Sequence, residues 1–202
     1  MKLLIATRNP HKLEEIRAIF KIENGSICSA FDFPHIPDVI EDGETLEANA
    51  IKKAVEMARA AGCWTIADDS GLEVDALGGA PGIYSARYAG EACSYEKNNE
   101  KLIAALDGVV DRSAQFRTVL ALSNAAGEVR TVEGICRGKI TKSLCGEQGF
   151  GYDPLFIPEG SKQTFGELSA VEKNKISHRA KALEKAKKEW LPFFNNEIKG
   201  SK

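Results

Sequence analysis

The chain has 202 residues, 43% of them hydrophobic and 28% charged, and a net charge of −2. These values fit a soluble globular protein with room for one substantial core, and they leave no global basic field to draw in nucleic acid. No apolar run reaches the ~20 residues of a membrane span, and the chain opens on a strand rather than a signal peptide.

Lys2–Ala6 (KLLIA) reads as a buried first strand. A polar turn, Thr7-Arg8-Asn9-Pro10-His11-Lys12, leads into a helix with Leu13, Ile16, Ile19 and Phe20 at helical spacing and Glu14, Glu15 and Arg17 opposite. Pro10 suits the first helical turn. A helix start offers open N–H groups and a positive dipole end, which suits phosphate, and Thr7, Asn9 and Lys12 add side-chain donors. With no glycine, the turn is not a P-loop, and a plain capped turn remains the alternative.

Ser26–Phe33 reads as a second strand, broken by Pro34 and Pro37. After an acidic lead-in containing Glu41, Thr45 caps a helix running to Ala61, with Gly62 as its stop. Asn49 and Lys53 lie four apart beside an alanine-rich stripe, so they share a face that either lines a cleft or meets solvent.

Residues Ile66–Gly82 (IADDSGLEVDALGGAPG) are the stretch around which the chain is organised. Thr65–Ala67 is an apolar strand, and Asp68 and Asp69 stand at its end. Desolvation and mutual repulsion make that placement costly unless a cation sits there. Mg²⁺ would relieve both, since it takes one or two carboxylates together with phosphate oxygens. A turn with Asp68 as cap and Asp69 in solvent is the alternative.

Ser94 begins a third helix with Leu102, Ile103 and Leu106 apolar, ended by Gly108. Ser113–Ser123 and Val129–Thr141 flank Asn124-Ala125-Ala126-Gly127 and read as a long hairpin. Strand–helix alternation followed by a hairpin predicts a mixed sheet. Gly146–Pro154 (GEQGFGYDP) sets Phe150 and Tyr152 among glycines, which suits a flat ring, although a tight turn with core aromatics fits too. Leu155–Ile157 reads as a strand. Ser169 and Glu172 have capping-box spacing, and Ser177 restarts a final helix with Leu183, Ala186 and Trp190 inward. His178 and Arg179 open that helix against its dipole, which points to an anionic partner there. The five cysteines, Cys28, Cys63, Cys93, Cys136 and Cys145, are scattered without a C-x-x-C pair, as expected of a reducing cytosol.

Thr7-x-Asn9-x-x-Lys12, Ala67-Asp-Asp-Ser-Gly-Leu72, Gly78-Gly-Ala-Pro-Gly-Ile-Tyr-Ser-Ala-Arg-Tyr88, Gly149-Phe-Gly-Tyr-Asp-Pro154 and Glu172-Lys-Asn-x-Ile-Ser-His-Arg179 occur in this order. Together they resemble the inosine/xanthosine triphosphate pyrophosphatases, which clear deaminated purine nucleotides (ITP, dITP, XTP). The resemblance spans Met1 to about Lys188; Arg8 and His11 stand where the family often has glycine. It implies one α/β domain over residues 1–202, an elongated two-lobed fold around a long mixed β-sheet with flanking helices and a central cleft. It also implies a cytoplasmic homodimer and a Mg²⁺-dependent hydrolysis of the triphosphate to monophosphate and pyrophosphate. Carried over by position, Asp69 matches the catalytic acid and a metal ligand, and Glu41 a second metal carboxylate, with Asp68 open as its alternative. Thr7, Arg8, Asn9, Pro10, His11, Lys12 and Lys53 match the triphosphate cradle, and Ser70 a substrate contact. Phe150, Gly151, Tyr152, Asp153, Lys173, His178 and Arg179 match the base and sugar pocket. A nucleotide sensor without hydrolysis would not need Asp68 and Asp69, and a modified pyrimidine triphosphate is the alternative substrate.

Overall fold

The structure, a computed structural model, describes residues 2–20, 26–91 and 94–200. Cys93 lies outside the described residues.

The elements in chain order are β1 (Lys2–Ile5), α1 (Pro10–Ile19), β2 (Ser26–Ser29), α2 (Leu46–Ala61), β3 (Trp64–Val74), α3 (Tyr95–Ala105), β4 (Ser113–Ser123), β5 (Val129–Ile140), β6 (Phe156–Pro158), α4 (Ala170–Ile176) and α5 (His178–Gly200). The six strands form one sheet in the order β2-β1-β3-β4-β5-β6. β1 pairs in parallel with both β2 and β3, whereas β5 and β6 are antiparallel, so the sheet is mixed as the alternation predicts. Leu3, Leu4 and Ile5 are all buried, as expected of a parallel strand covered on both faces.

Two sequence expectations need correcting. The second strand stops at Ser29, where a short 3-10 turn, Ala30–Asp32, is closed by a Ser29–Asp32 capping box; polar capping stops the ladder before the prolines do. β3 does not end at the acids. It runs on through Asp68 and Asp69 to Val74, because both carboxylates find partners within the fold.

Capping follows the sequence closely. Thr45 accepts the Ala48 N–H and Gly62 closes α2 in the left-handed region. Ser94 caps α3, and Ser169 with Glu172 forms a capping box on α4.

The chain divides into two compact units. One comprises Met1–Asp69, Thr118–Gly134 and Arg179–Lys202; the other comprises Ser70–Arg117 and Ile135–His178. In the first, Leu3, Ile5 and Ile66 pack with Leu13 and Ile16 of α1 and with Leu183, Ala186 and Trp190 of α5. In the second, Leu72, Leu102, Phe116, Tyr152, Phe156 and Phe165 form the core. Among the described residues no helix is long and apolar enough to cross a membrane.

Candidate active site

Successive strand residues point to opposite faces, and this separates the adjacent acids of β3. Asp68 shares the face of Trp64 and Ile66, toward α1 and α5. Its Oδ2 takes the Lys12 ammonium at 3.0 Å and the Arg179 guanidinium at 3.2 Å. Arg179 also pairs with Glu15 of α1. Asp69 points the other way, toward α2, where Asn49 Nδ2 donates to its Oδ2 at 3.1 Å. One turn along α2, Lys53 donates to the Asp68 backbone carbonyl at 2.9 Å and pairs with Glu41. The shared face of Asn49 and Lys53 therefore lines this cluster rather than solvent.

The two acids differ electrostatically. Burial opposes ionisation of Asp68, but Lys12, Arg179 and Lys53 outweigh it and hold its carboxyl far below the usual range. Asp69 goes the other way. Burial raises its pKa and Glu41 adds to the rise, against the pull of Lys12 and Lys53. Burial works against the Lys53 ammonium, yet Asp68 and Glu41 hold its pKa above the ordinary lysine value. Arg179 is likewise kept charged in spite of burial, by Glu15 and Asp68.

A buried carboxylate that resists ionisation beside a second carboxylate is a place where a hard cation lowers the free energy. Asp69 and Glu41 supply oxygen donors only. Among the described residues no group of three or more His, Cys, Asp or Glu could hold a metal by itself. That donor set fits Mg²⁺, which keeps positions for water and phosphate, and not a closed structural cage. Asp68, already engaged by Lys12 and Arg179, is the less suitable second ligand.

The turn after β1 is more fully satisfied than the sequence suggests. Asn9 Oδ1 accepts the backbone N–H groups of His11 and Lys12 at 3.0 and 3.3 Å, so the helix start is capped rather than open. Thr7 is buried and its Oγ1 accepts the Asn9 N–H. Pro10 occupies the first helical turn, exposed, as does His11. Arg8 turns away from Lys12: its guanidinium pairs with Asp38 and donates to the Ile36 carbonyl at 2.5 Å.

In the second unit, loop 149–153 is built around Asp153. Its Oδ2 accepts the Phe150 N–H at 2.8 Å and the Lys173 ammonium at 2.7 Å. A Cβ at Gly149 would lie 2.0 Å from that oxygen, so only glycine lets the loop close on it. The Lys173 ammonium sits 4.8 Å from the centre of the half-buried Phe150 ring. Tyr152 is a core residue instead of a ring platform: it is buried, and its hydroxyl donates to the Ser85 carbonyl. His178 is buried and stacked on Phe116, with centroids 4.6 Å apart and planes at 11°. Gly151 lies in this loop, and Ser70 follows Asp69 within β3.

The structure thus gathers Lys12, Glu41, Lys53, Asp68, Asp69 and Arg179 in one unit, and Phe150, Gly151, Tyr152, Asp153, Lys173 and His178 in the other. Arg179, read with the second group, makes its ion pairs in the first. Glu15, read as a solvent-face residue of α1, is the second carboxylate on Arg179. Phe116, which stacks on His178, and the α3 asparagines, which hold loop carbonyls, carry no site role in the sequence reading. Two adjacent asparagines inside a helical pattern, where that residue is a poor helix former, are the one sequence signal for the latter.

The Ham1 family model matches residues 3–189. A protein named dITP/XTP pyrophosphatase from Desulforamulus reducens is 50% identical over 188 residues, covering 92% of this chain and 94% of the relative. One of the same name from an Exiguobacterium species is 47% identical over 194 residues, covering 96% and 99%. The solved Ham1 protein of Staphylococcus aureus superposes with a TM-score of 0.85 at 40% identity, covering 98% of this chain and 100% of that one.

Proposed function

The chain belongs to the Ham1 family, and from that premise we propose that it is a nucleoside-triphosphate pyrophosphatase acting on noncanonical purines (ITP, dITP and XTP). The observation that carries this reading is Asp69: a buried acid of raised pKa, oriented by Asn49 and set beside Glu41 and Lys53.

The charged cluster takes the triphosphate. Lys12 and Lys53 neutralise charge on the phosphate oxygens, with Thr7 and Asn9 as polar neighbours at the turn. Asp69 accepts a proton from the attacking water as oxygen bonds to the α-phosphorus. The α–β phosphoanhydride bond then breaks, and pyrophosphate leaves with the electron pair. Asp69 and Glu41 would hold Mg²⁺, which when bound supplies further charge neutralisation at the phosphates. Asp68 stays ionised throughout and keeps Lys12 in place.

Loop 149–153, with Lys173 and His178, takes the base. A 6-oxo purine accepts a hydrogen bond where adenine would donate one, so the donors of this cluster favour hypoxanthine and xanthine over adenine, while guanine, which shares the 6-oxo group, is refused at its 2-amino edge. Leaving such groups unpaired discriminates by factors of roughly 10⁴. The scattered cysteines, none of them in a C-x-x-C pair, support a cytoplasmic location. The resemblance carries a homodimer, which sedimentation velocity checks.

Pyrophosphate release from ITP, dITP, XTP, GTP and ATP, with and without Mg²⁺, tests the reading. Mg²⁺-dependent release from the first three is expected, and comparable turnover of ITP and ATP would overturn it.

A further inference from the structure

Asn98 and Asn99 are adjacent and buried in the middle of α3. Asparagine is a poor helix former, and a buried amide is costly unless it is hydrogen-bonded. Both amides reach out of the helix. Asn98 Nδ2 donates to the Ala86 carbonyl at 3.1 Å, and its Oδ1 accepts the Ala89 N–H at 2.8 Å. Asn99 Nδ2 donates to the Gly151 carbonyl at 3.0 Å. Its Oδ1 is buried with no hydrogen-bond partner among the described residues.

Consecutive helical positions diverge by about 100°, so one turn of α3 grips two loops. Those loops are themselves joined, since the Tyr152 hydroxyl donates to the Ser85 carbonyl at 2.9 Å. Ser85 in turn reaches β3, where its Oγ accepts the Leu72 N–H at 2.9 Å. Gly151, between Phe150 and Tyr152, has φ +64° and no side chain to restrain it. The Asn99 amide pins the carbonyl of this permissive residue. An apolar residue could fill the space without burying an unpaired oxygen, so packing alone does not account for the asparagine.

We propose that Asn99 is a positioning residue for base recognition: through the Gly151 carbonyl it fixes the setting of the Phe150 ring, and so the affinity for the purine, while leaving triphosphate binding alone. This rests on the reading of loop 149–153 as the base site.

The test compares wild type with Asn99→Asp and Asn99→Leu, neither of which can donate to Gly151. Each is titrated calorimetrically with inosine monophosphate and, separately, with inorganic tripolyphosphate, both with Mg²⁺. The expected result is inosine monophosphate weakened by about tenfold and tripolyphosphate unchanged within about twofold. The KM for ITP should rise with little change in kcat. Equal loss for both ligands, or no loss for inosine monophosphate, overturns the inference while the function stands. Wild type that binds tripolyphosphate but not inosine monophosphate overturns the assignment of loop 149–153, and this inference with it. Should both variants fail to fold, Asn99→Ser carries the same comparison, with the same outcomes decisive.

Discussion

Asp68 and Asp69 are chemically identical neighbours, and their surroundings divide the work between them. Asp68 is held ionised by Lys12 and Arg179; it and Arg179 are buried and Lys12 is partly so, and an isolated charge at Asp68 would be intolerable. Asp68→Asn leaves two cations facing a neutral amide, so it should cost about 3–5 kcal/mol in urea denaturation. Asp69 is different, because burial and Glu41 already disfavour its charge. Asp69→Asn should therefore leave the urea midpoint unchanged or higher while cutting pyrophosphate release by at least about 100-fold. Equal destabilisation by the two substitutions would contradict this division of roles. The acids were legible in the sequence as a costly pair wanting positive charge. Which of them meets lysine and arginine was not, because that depends on the strand continuing through both and sending them to opposite faces.

At the scale of elements, the segment after the acids is constrained by the close return of its own chain. A Cβ at Gly71 would lie 2.4 Å from the Gly82 carbonyl oxygen, which Ser85 Oγ holds at 2.6 Å. Gly71→Ala must displace that backbone, and it is expected to lower stability by about 1–3 kcal/mol in thermal or urea melts. The α4 capping box gives a prediction in pH. The Ser169 backbone and side-chain hydrogen bonds hold the Glu172 carboxyl below its ordinary pKa. A depressed folded pKa means stabilisation that is complete above the unfolded value and lost as pH falls through the folded one. The Tm difference between wild type and Glu172→Gln should accordingly be largest near neutrality and shrink on acidification. A difference that grows toward low pH would show that the carboxylate charge is not what the cap uses. Caps such as these were readable in advance because their chemistry is local: Thr45, Ser94 and Ser169 each lie within three residues of the N–H they accept. The β2 boundary and the Glu15–Arg179 pair were not. The pair joins residues 164 positions apart, and nothing near either residue distinguishes Glu15 from the exposed Glu14.

For the whole molecule, the order in which the chain visits its two units decides what can be removed. The first unit is assembled from three separate segments, and the last of them begins at Arg179. That segment supplies Ala182, Leu183, Ala186, Trp190 and Phe194 to the core formed with β1, α1 and β3. It also supplies the guanidinium that Asp68 and Glu15 share. Burying a large apolar side chain is worth about 1.5–3 kcal/mol, and a domain's net stability is only about 5–15 kcal/mol. Loss of Leu183, Trp190 and Phe194 together is therefore worth about 4.5–9 kcal/mol, comparable with that whole net stability, and Asp68 is stripped of one cation besides. A protein ending at His178 keeps every residue of the second unit and every acid of the charged cluster, yet it should show no cooperative unfolding transition in urea and release no pyrophosphate from ITP. Trp190→Ala makes the smaller version of the same change. It should stay folded with a loss of about 3–5 kcal/mol and keep its preference for ITP over ATP, since it alters the support of the cluster and none of its groups. A truncated protein that melted cooperatively would mean that the last helix is an accessory, and that Asp68 is held without it.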